Sequence, residues 1–134
     1  MLKKYTKGKV AVFIDAANIL YSQQTLGWRI DYQKLRDYLQ IDGGKLLPKG
    51  NLDVELALDA FRLADDYDTL LLFSGDSDFG YLLDLLKHKG KKVLVVSTRG
   101  HISKELLERA KYIDLRKLKE EIIFTSQKPS EDGP

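Results

Sequence analysis

The chain has 134 residues, a net charge of +2, no cysteine and two histidines. That length suits one domain with a real core, and the composition is that of an ordinary globular protein. Without cysteine there are no disulfides, no thiolate metal sites and no thiol catalysis, and His88 and His101 alone make no histidine-rich metal site. Any metal would be held by oxygen, which favours Mg²⁺ or Mn²⁺ over zinc. The net charge is too small to imply a polyanionic partner by itself, although Lys and Arg recur over residues 87–92 and 109–119. No apolar stretch is long enough to span a bilayer. The opening MLKKYTKGK lacks the apolar core of a signal peptide, which points to a cytoplasmic address and no membrane partner.

Residues 1–8 form a basic lead-in, expected to be a solvated arm. Residues 9–15 read as the first strand, with Asp15 ending the apolar run Val10-Ala11-Val12-Phe13-Ile14. A short helix or turn over residues 16–24 follows, in which Asn18 is placed to cap, to contact substrate or to steady Asp15. Trp28 is expected to pack, with stacking on a base as its functional alternative. Asp31 suits the N-cap of a helix over residues 32–39 that carries Tyr32, Leu35, Tyr38 and Leu39 on one face. Residues 41–50, rich in Gly with one Pro, break the pattern, with Lys45-Leu46-Leu47 at most a very short strand.

Residues 51–64 (NLDVELALDAFRLA) have the period of an amphipathic helix. Val54, Leu58 and Phe61 make its large apolar stripe, and Ala57, Ala60 and Ala64 allow close packing. Asp53 lies in the first turn, where a carboxylate complements the helix dipole. The centre of the chain is LLLFSGDSDF, residues 70–79. A buried strand runs to Phe73, Ser74-Gly75 turn, and Asp76 and Asp78 open a helix whose apolar residues recur to Leu86. Either carboxylate could serve as a cap. Two so close repel unless a cation or a proton lies between them, and strand carboxyl ends are where open α/β sheets bind ligands. Residues 92–97 form another buried strand, followed by a polar loop with Arg99 and His101. Ser103 starts a helix to Arg109, residues 112–115 read as a last strand, and a charged helix runs from Arg116 to about Ile122. Residues 125–134 form a polar tail expected to be disordered, which leaves 1–124 as the domain. Strands alternating with helices predict a parallel α/β sandwich.

VFIDAANIL, KGNLDVELALDAF and LLFSGDSDFGYLLDLLKHKGKKVLVVS occur in that order, with ISKELLERAKYIDL after them. Together they resemble the motifs of the NYN family, PIN-like ribonuclease domains, in its bacterial LabA-like branch. The resemblance covers about residues 9–115. It implies a three-layer α/β/α Rossmann-like (PIN-like) sandwich with a mainly parallel sheet of about four or five strands. It also implies an acidic pocket that binds Mg²⁺ or Mn²⁺ and cleaves RNA, single-stranded RNA above all. Carried over residue by residue, Asp15, Asp76, Asp78 and Asp53 would be the catalytic and metal-holding acids. Asn18, Lys49 and Ser74 would support them or the substrate, with Lys49 facing phosphate. One departure stands out: such domains usually carry a further strand-helix-strand portion where only residues 41–48 bridge here. The first strand is therefore expected at an exposed edge, covered by a second copy of the chain in a homodimer.

Two rival readings have sequence support. A non-catalytic RNA-binding or scaffolding module would keep the fold and the acids, and the shortened middle favours it. A phosphohydrolase of the haloacid-dehalogenase type also places an Asp after its first strand. It needs a second Asp two residues on, where Ala17 stands.

Overall fold

Runs of β-branched and leucine residues give the chain strands that can be buried on both faces, and such strands pair as a parallel sheet. The computed structural model describes residues 2–41, 44–46 and 53–125. In it, β1 (Val10–Ile14), β2 (Gly44–Leu46), β3 (Thr69–Phe73), β4 (Lys92–Ser97) and β5 (Lys111–Asp114) form one sheet in the order β2-β1-β3-β4-β5. Every pairing is parallel. All five residues of β3 are buried, as its unbroken apolar run implies.

Alternation along the strands divides the core in two. On one face Val10, Val12, Leu71, Phe73, Leu94, Val96 and Ile113 meet Ile19 of α1 (Ala16–Leu26), Leu35 of α2 (Tyr32–Ile41) and Ile122 of α6 (Lys119–Ile122). On the other, Ala11, Phe13, Leu70, Leu72, Val93 and Val95 meet Leu56 and Ala60 of α3 (Asp53–Arg62). Leu82, Leu83 and Leu86 of α4 (Gly80–His88) and Leu106 of α5 (Lys104–Arg109) complete that face. The result is the three-layer α/β/α sandwich expected from the alternation of elements.

Several local expectations hold. Asp31 caps α2, its Oδ1 accepting from the amides of Gln33 and Lys34 at 3.0 and 3.1 Å. Ser103 caps α5 by accepting from the Leu106 amide, and Gly90 takes a left-handed φ of 83° just beyond α4. Trp28 packs, half-buried, against the first core face.

Two expectations are corrected, and α3 shows which of its faces packs. The basic lead-in is not a free arm: Leu2 is buried, Leu2–Tyr5 form a 3₁₀ turn, and Thr69 Oγ1 both accepts from the Lys7 amide at 2.9 Å and donates to the Lys7 carbonyl at 2.6 Å. An apolar residue close to the chain start and a strand hydroxyl with a free donor are enough to dock it. Nor is β1 an exposed edge. β2 pairs with it from Val10↔Gly44 to Val12↔Leu46, so the same chain covers the edge that a second copy was expected to cover. The packing of α3 follows its small residues. Leu56, Ala60 and the following Ala64 face the sheet, while Val54 and Leu58 are 72% and 64% exposed and Phe61 is 42% exposed. The small residues bring the helix close to the sheet, which turns the large stripe outward. The tail from residue 126 lies outside the described residues.

This placement has a measurable consequence. Leu56→Ala should cost about 2–5 kcal/mol of stability, as a core truncation does. Leu58→Ala on the same helix should cost no more than about 0.5 kcal/mol. Urea unfolding of the two variants compares them, and equal losses would show that the outer stripe is packed.

Candidate active site

The strand order reverses direction at β1: β2 lies on one side of it and β3, β4 and β5 follow on the other. In an open α/β sheet the crevice beyond the carboxyl ends of the two strands at such a switch point is the usual ligand site. Here those ends carry Asp15 and Ser74-Gly75-Asp76. The register Ile14↔Phe73↔Val96↔Ile113 carries on, with Ser97↔Asp114, into a polar row formed by Asp15, Ser74, Ser97 and Asp114. Asp15, Ser74, Ser97 and the adjoining Thr98 are all buried.

A buried carboxylate must be hydrogen-bonded or paired, and Asp15 is only 4% exposed. Its Oδ2 accepts from the Ser74 hydroxyl at 2.8 Å, and its Oδ1 accepts from the Asn18 amide at 3.2 Å, so it also caps α1. The Ser74 hydroxyl in turn accepts from the Asp76 amide at 3.2 Å, which ties the two acids' segments through one oxygen. The Asn18 side chain takes the Gly75 amide at 3.0 Å. Asn18 thus steadies Asp15 with its backbone and the acidic turn with its side chain.

Asp76 is half-buried and caps the 3₁₀ turn Ser77–Phe79, its Oδ1 accepting from the Asp78 amide at 2.9 Å. Asp78 and Ser77 are exposed. The capping role foreseen for Asp76 is therefore realised, and Asp15 rather than Asn18 caps α1, while Asp15 and Asp76 converge on one rim. Asp53 is the first residue of α3, and its neighbour Val54 shares a groove with Asp78 and Phe79. The helix thus starts beside the acidic turn. Lys49 lies outside the described residues.

The loop after β4 closes over this turn. The Ser103 amide donates to the Gly75 carbonyl at 2.9 Å, and a Cβ on residue 75 would run into the His101 carbonyl oxygen. Glycine is needed there for close approach, not for an unusual φ. The His101 ring meets the Thr25 hydroxyl at 2.5 Å and stands edge-on to Tyr21, their centroids 5.3 Å apart. Of the two polar residues named in this loop, His101 is held by α1 and Arg99 is exposed.

Three rim residues were missed in the sequence. Asp114 ends β5 and caps the next turn through the Arg116 amide, repeating the strand-Asp-helix pattern of Asp15. That pattern could have revealed it. Tyr112 donates to Asp114 Oδ2 at 2.8 Å; burial first, then this bond and the carboxylate's charge, push the phenol above its ordinary pKa. Thr98 is fully buried with its hydroxyl unpartnered among the described residues, and nothing in the sequence signalled it.

The donor set can be weighed against a divalent cation. Each carboxylate oxygen of Asp15 takes one hydrogen bond and keeps further lone-pair capacity, while Asp76 and Asp78 reach solvent. Among the described residues no three Asp, Glu or His side chains converge tightly enough to cage an ion. Such a set suits Mg²⁺ or Mn²⁺, hard cations that keep several waters and need one or two carboxylates.

The NYN domain family model matches residues 39–116, more than half of the chain, and the chain belongs to that family. NYN domains are generally nucleases that use divalent metals and bind RNA. The chain is similar to the low amplitude and bright protein LabA of Synechococcus elongatus, with 26% identity over 171 aligned positions covering 92% of each. Those positions outnumber the 134 residues here, so the relative carries segments that this chain lacks. An uncharacterized protein of Methanocaldococcus jannaschii is 28% identical over 83% of this chain and 56% of its own length. In fold, the chain matches a crystal structure of a protein of unknown function from Vibrio parahaemolyticus. The TM-score is 0.68 at 21% identity, over 88% of this chain and 97% of that one. No described helix is long and apolar enough to cross a membrane.

The hydrogen-bond geometry makes the rim testable without activity. Ser74→Ala leaves Asp15 Oδ2 without its donor and should cost about 1–3 kcal/mol. Gly75→Ala, by overpacking against the His101 carbonyl, should cost about 1–3 kcal/mol. Denaturant unfolding measures both, and a Gly75→Ala variant as stable as the parent would show that the β4–α5 loop does not press on the turn.

Proposed function

We propose that the chain is a metal-dependent ribonuclease that hydrolyses phosphodiester bonds of single-stranded RNA at this rim. The observation that carries the reading is the Asp15–Ser74–Asp76 link, which joins two acids at the switch point of a NYN-family sheet. Asp15, Asp76 and Asp78, with Asp53 at the start of α3, would hold Mg²⁺ or Mn²⁺. When bound, such an ion relieves charge on the phosphate and makes a water nucleophilic near neutral pH. The chain's own groups prepare the site. The Ser74 hydroxyl fixes the direction of one Asp15 oxygen, and the Asn18 side-chain oxygen, accepting from the Gly75 amide, keeps that turn, and with it Asp76, against the start of α1. Lys49 is assigned to phosphate contact by its motif. In the reaction a water oxygen joins phosphorus, the bond from phosphorus to one sugar oxygen breaks, and that oxygen leaves with a proton.

A second reading, a non-catalytic RNA-binding or scaffolding module, has one observation in its favour. Both Asp15 oxygens are already engaged, and no three-residue cage forms among the described residues. Cleavage of an end-labelled single-stranded RNA with Mn²⁺, with Mg²⁺ and with EDTA separates the two, run on the wild type and on Asp76→Asn. The ribonuclease reading expects metal-dependent products in the wild type and at least a hundredfold loss in the variant, a deficit of about 2.7 kcal/mol in transition-state stabilisation. A wild type that binds the RNA intact with either metal makes the domain a binder.

A further inference from the structure

Beside the acidic turn lies a groove of about 370 Å³ lined by Val54, Ala57 and Leu58 of α3 and by Asp78 and Phe79. Its aliphatic floor is largely open, because Val54 and Leu58 are among the most exposed large apolar residues of the molecule. Exposed apolar surface that lines a groove is a candidate for binding. Its size falls at the lower end for small-ligand sites, about 300–1,000 Å³. A docked helix would need anchor pockets spread over two turns or more. One planar ring fits the space better.

The surroundings change in character along α3. Asp78 belongs both to the groove and to the acidic turn, so an occupant of the groove lies next to the proposed site of cleavage. At the other end of the same helix face, the Phe61 ring carries the Lys89 ammonium 5.1 Å from its centroid. Lys89 belongs to the basic run of residues 87–92. Seven residues of helix separate Val54 from Phe61, about 10 Å at 1.5 Å per residue. Carboxylates, an apolar floor and a cation therefore follow one another over a short distance. A nucleotide strand has the matching order, with a phosphate at the acids' metal, a base on the floor and a further phosphate at the cation.

We propose that this groove is a base subsite, which takes the apolar face of an unpaired nucleobase next to the scissile phosphate. The proposal rests on the ribonuclease reading for what the neighbouring acids do. It makes single-strandedness a requirement of shape: in a duplex the base faces are stacked within the helix and cannot reach the floor, whereas an unpaired base can splay out onto it.

The test compares equilibrium binding of a labelled oligoribonucleotide with binding of an abasic strand of equal length and charge. It uses the full chain carrying Asp76→Asn, with Mg²⁺ present, so that no strand is cut. The base-bearing strand should bind at least about fivefold more tightly, the scale of a single base contact. Adding Leu58→Ser or Val54→Ser should bring the two affinities within about twofold and leave the abasic affinity unchanged. Both side chains are exposed and both changes are neutral, so neither folding nor net charge confounds the comparison. A parent that does not distinguish the strands, including one that binds neither, overturns the proposal. So do serine variants that keep the full preference, or that alter only the sedimentation of the chain, which would assign the face to a second copy. If base-dependent binding is lost in Leu58→Ser but the wild type cuts nothing with Mn²⁺ or Mg²⁺, the groove stands and the hydrolytic reading falls.

Discussion

The rim of this domain depends on one buried charge. The Asp15 carboxylate is almost wholly removed from water, and it is tolerable there only because a hydroxyl and an amide donate to it. The hydroxyl comes from β3, so the bond exists only in the register that sets Ile14 beside Phe73. The Asp15 amide itself extends that ladder, donating to the Phe73 carbonyl at 2.9 Å. A slip of one residue would turn Ser74 to the opposite face and leave the carboxylate without its donor. The register that packs Phe13 and Leu72 into one core layer is thus the register that assembles the site.

From that bond the rest of the rim follows by short steps. Ser74 carries the constraint to the Asp76 amide, Asn18 carries it to Gly75, and the Gly75 carbonyl receives the Ser103 amide from the next loop. Three strand ends are linked in this way with no charge pairing at all. The arrangement fixes Asp15 in the interior, leaves Asp76 half-buried and puts Asp78 in solvent.

Much of this could be read from the residues, and the reason is local. An apolar run that stops at Asp, or at Ser-Gly-Asp, specifies both a buried strand and the start of a helix, so Asp15 and Asp76 fell at strand ends without any knowledge of neighbours. Two adjacent parallel strands then had to place them on one rim. What could not be read depends on contacts distant in sequence. Gly44–Leu46 is too short to declare itself a strand and becomes one only by pairing with β1. Leu2 looks like part of a charged arm until Tyr5 and the sheet give it a place. Asp114 follows the same strand-to-Asp rule as Asp15, at the end of a strand only four residues long.

The orientation of α3 shows a different limit. A period of 3.6 identifies a helix with two unlike faces, but it does not say which of them meets the sheet. Large side chains suggest that the Val54–Leu58–Phe61 stripe should be inside, yet Leu56, Ala60 and Ala64 form a complete inner face of their own. A helix with one small-residue face and one large apolar face can pack closely with the first and still present the second to a partner. On α3 that second face adjoins the acidic turn and ends under a lysine. One side of α3 therefore closes the core, while the other stays open to solvent next to the turn that carries Asp76 and Asp78.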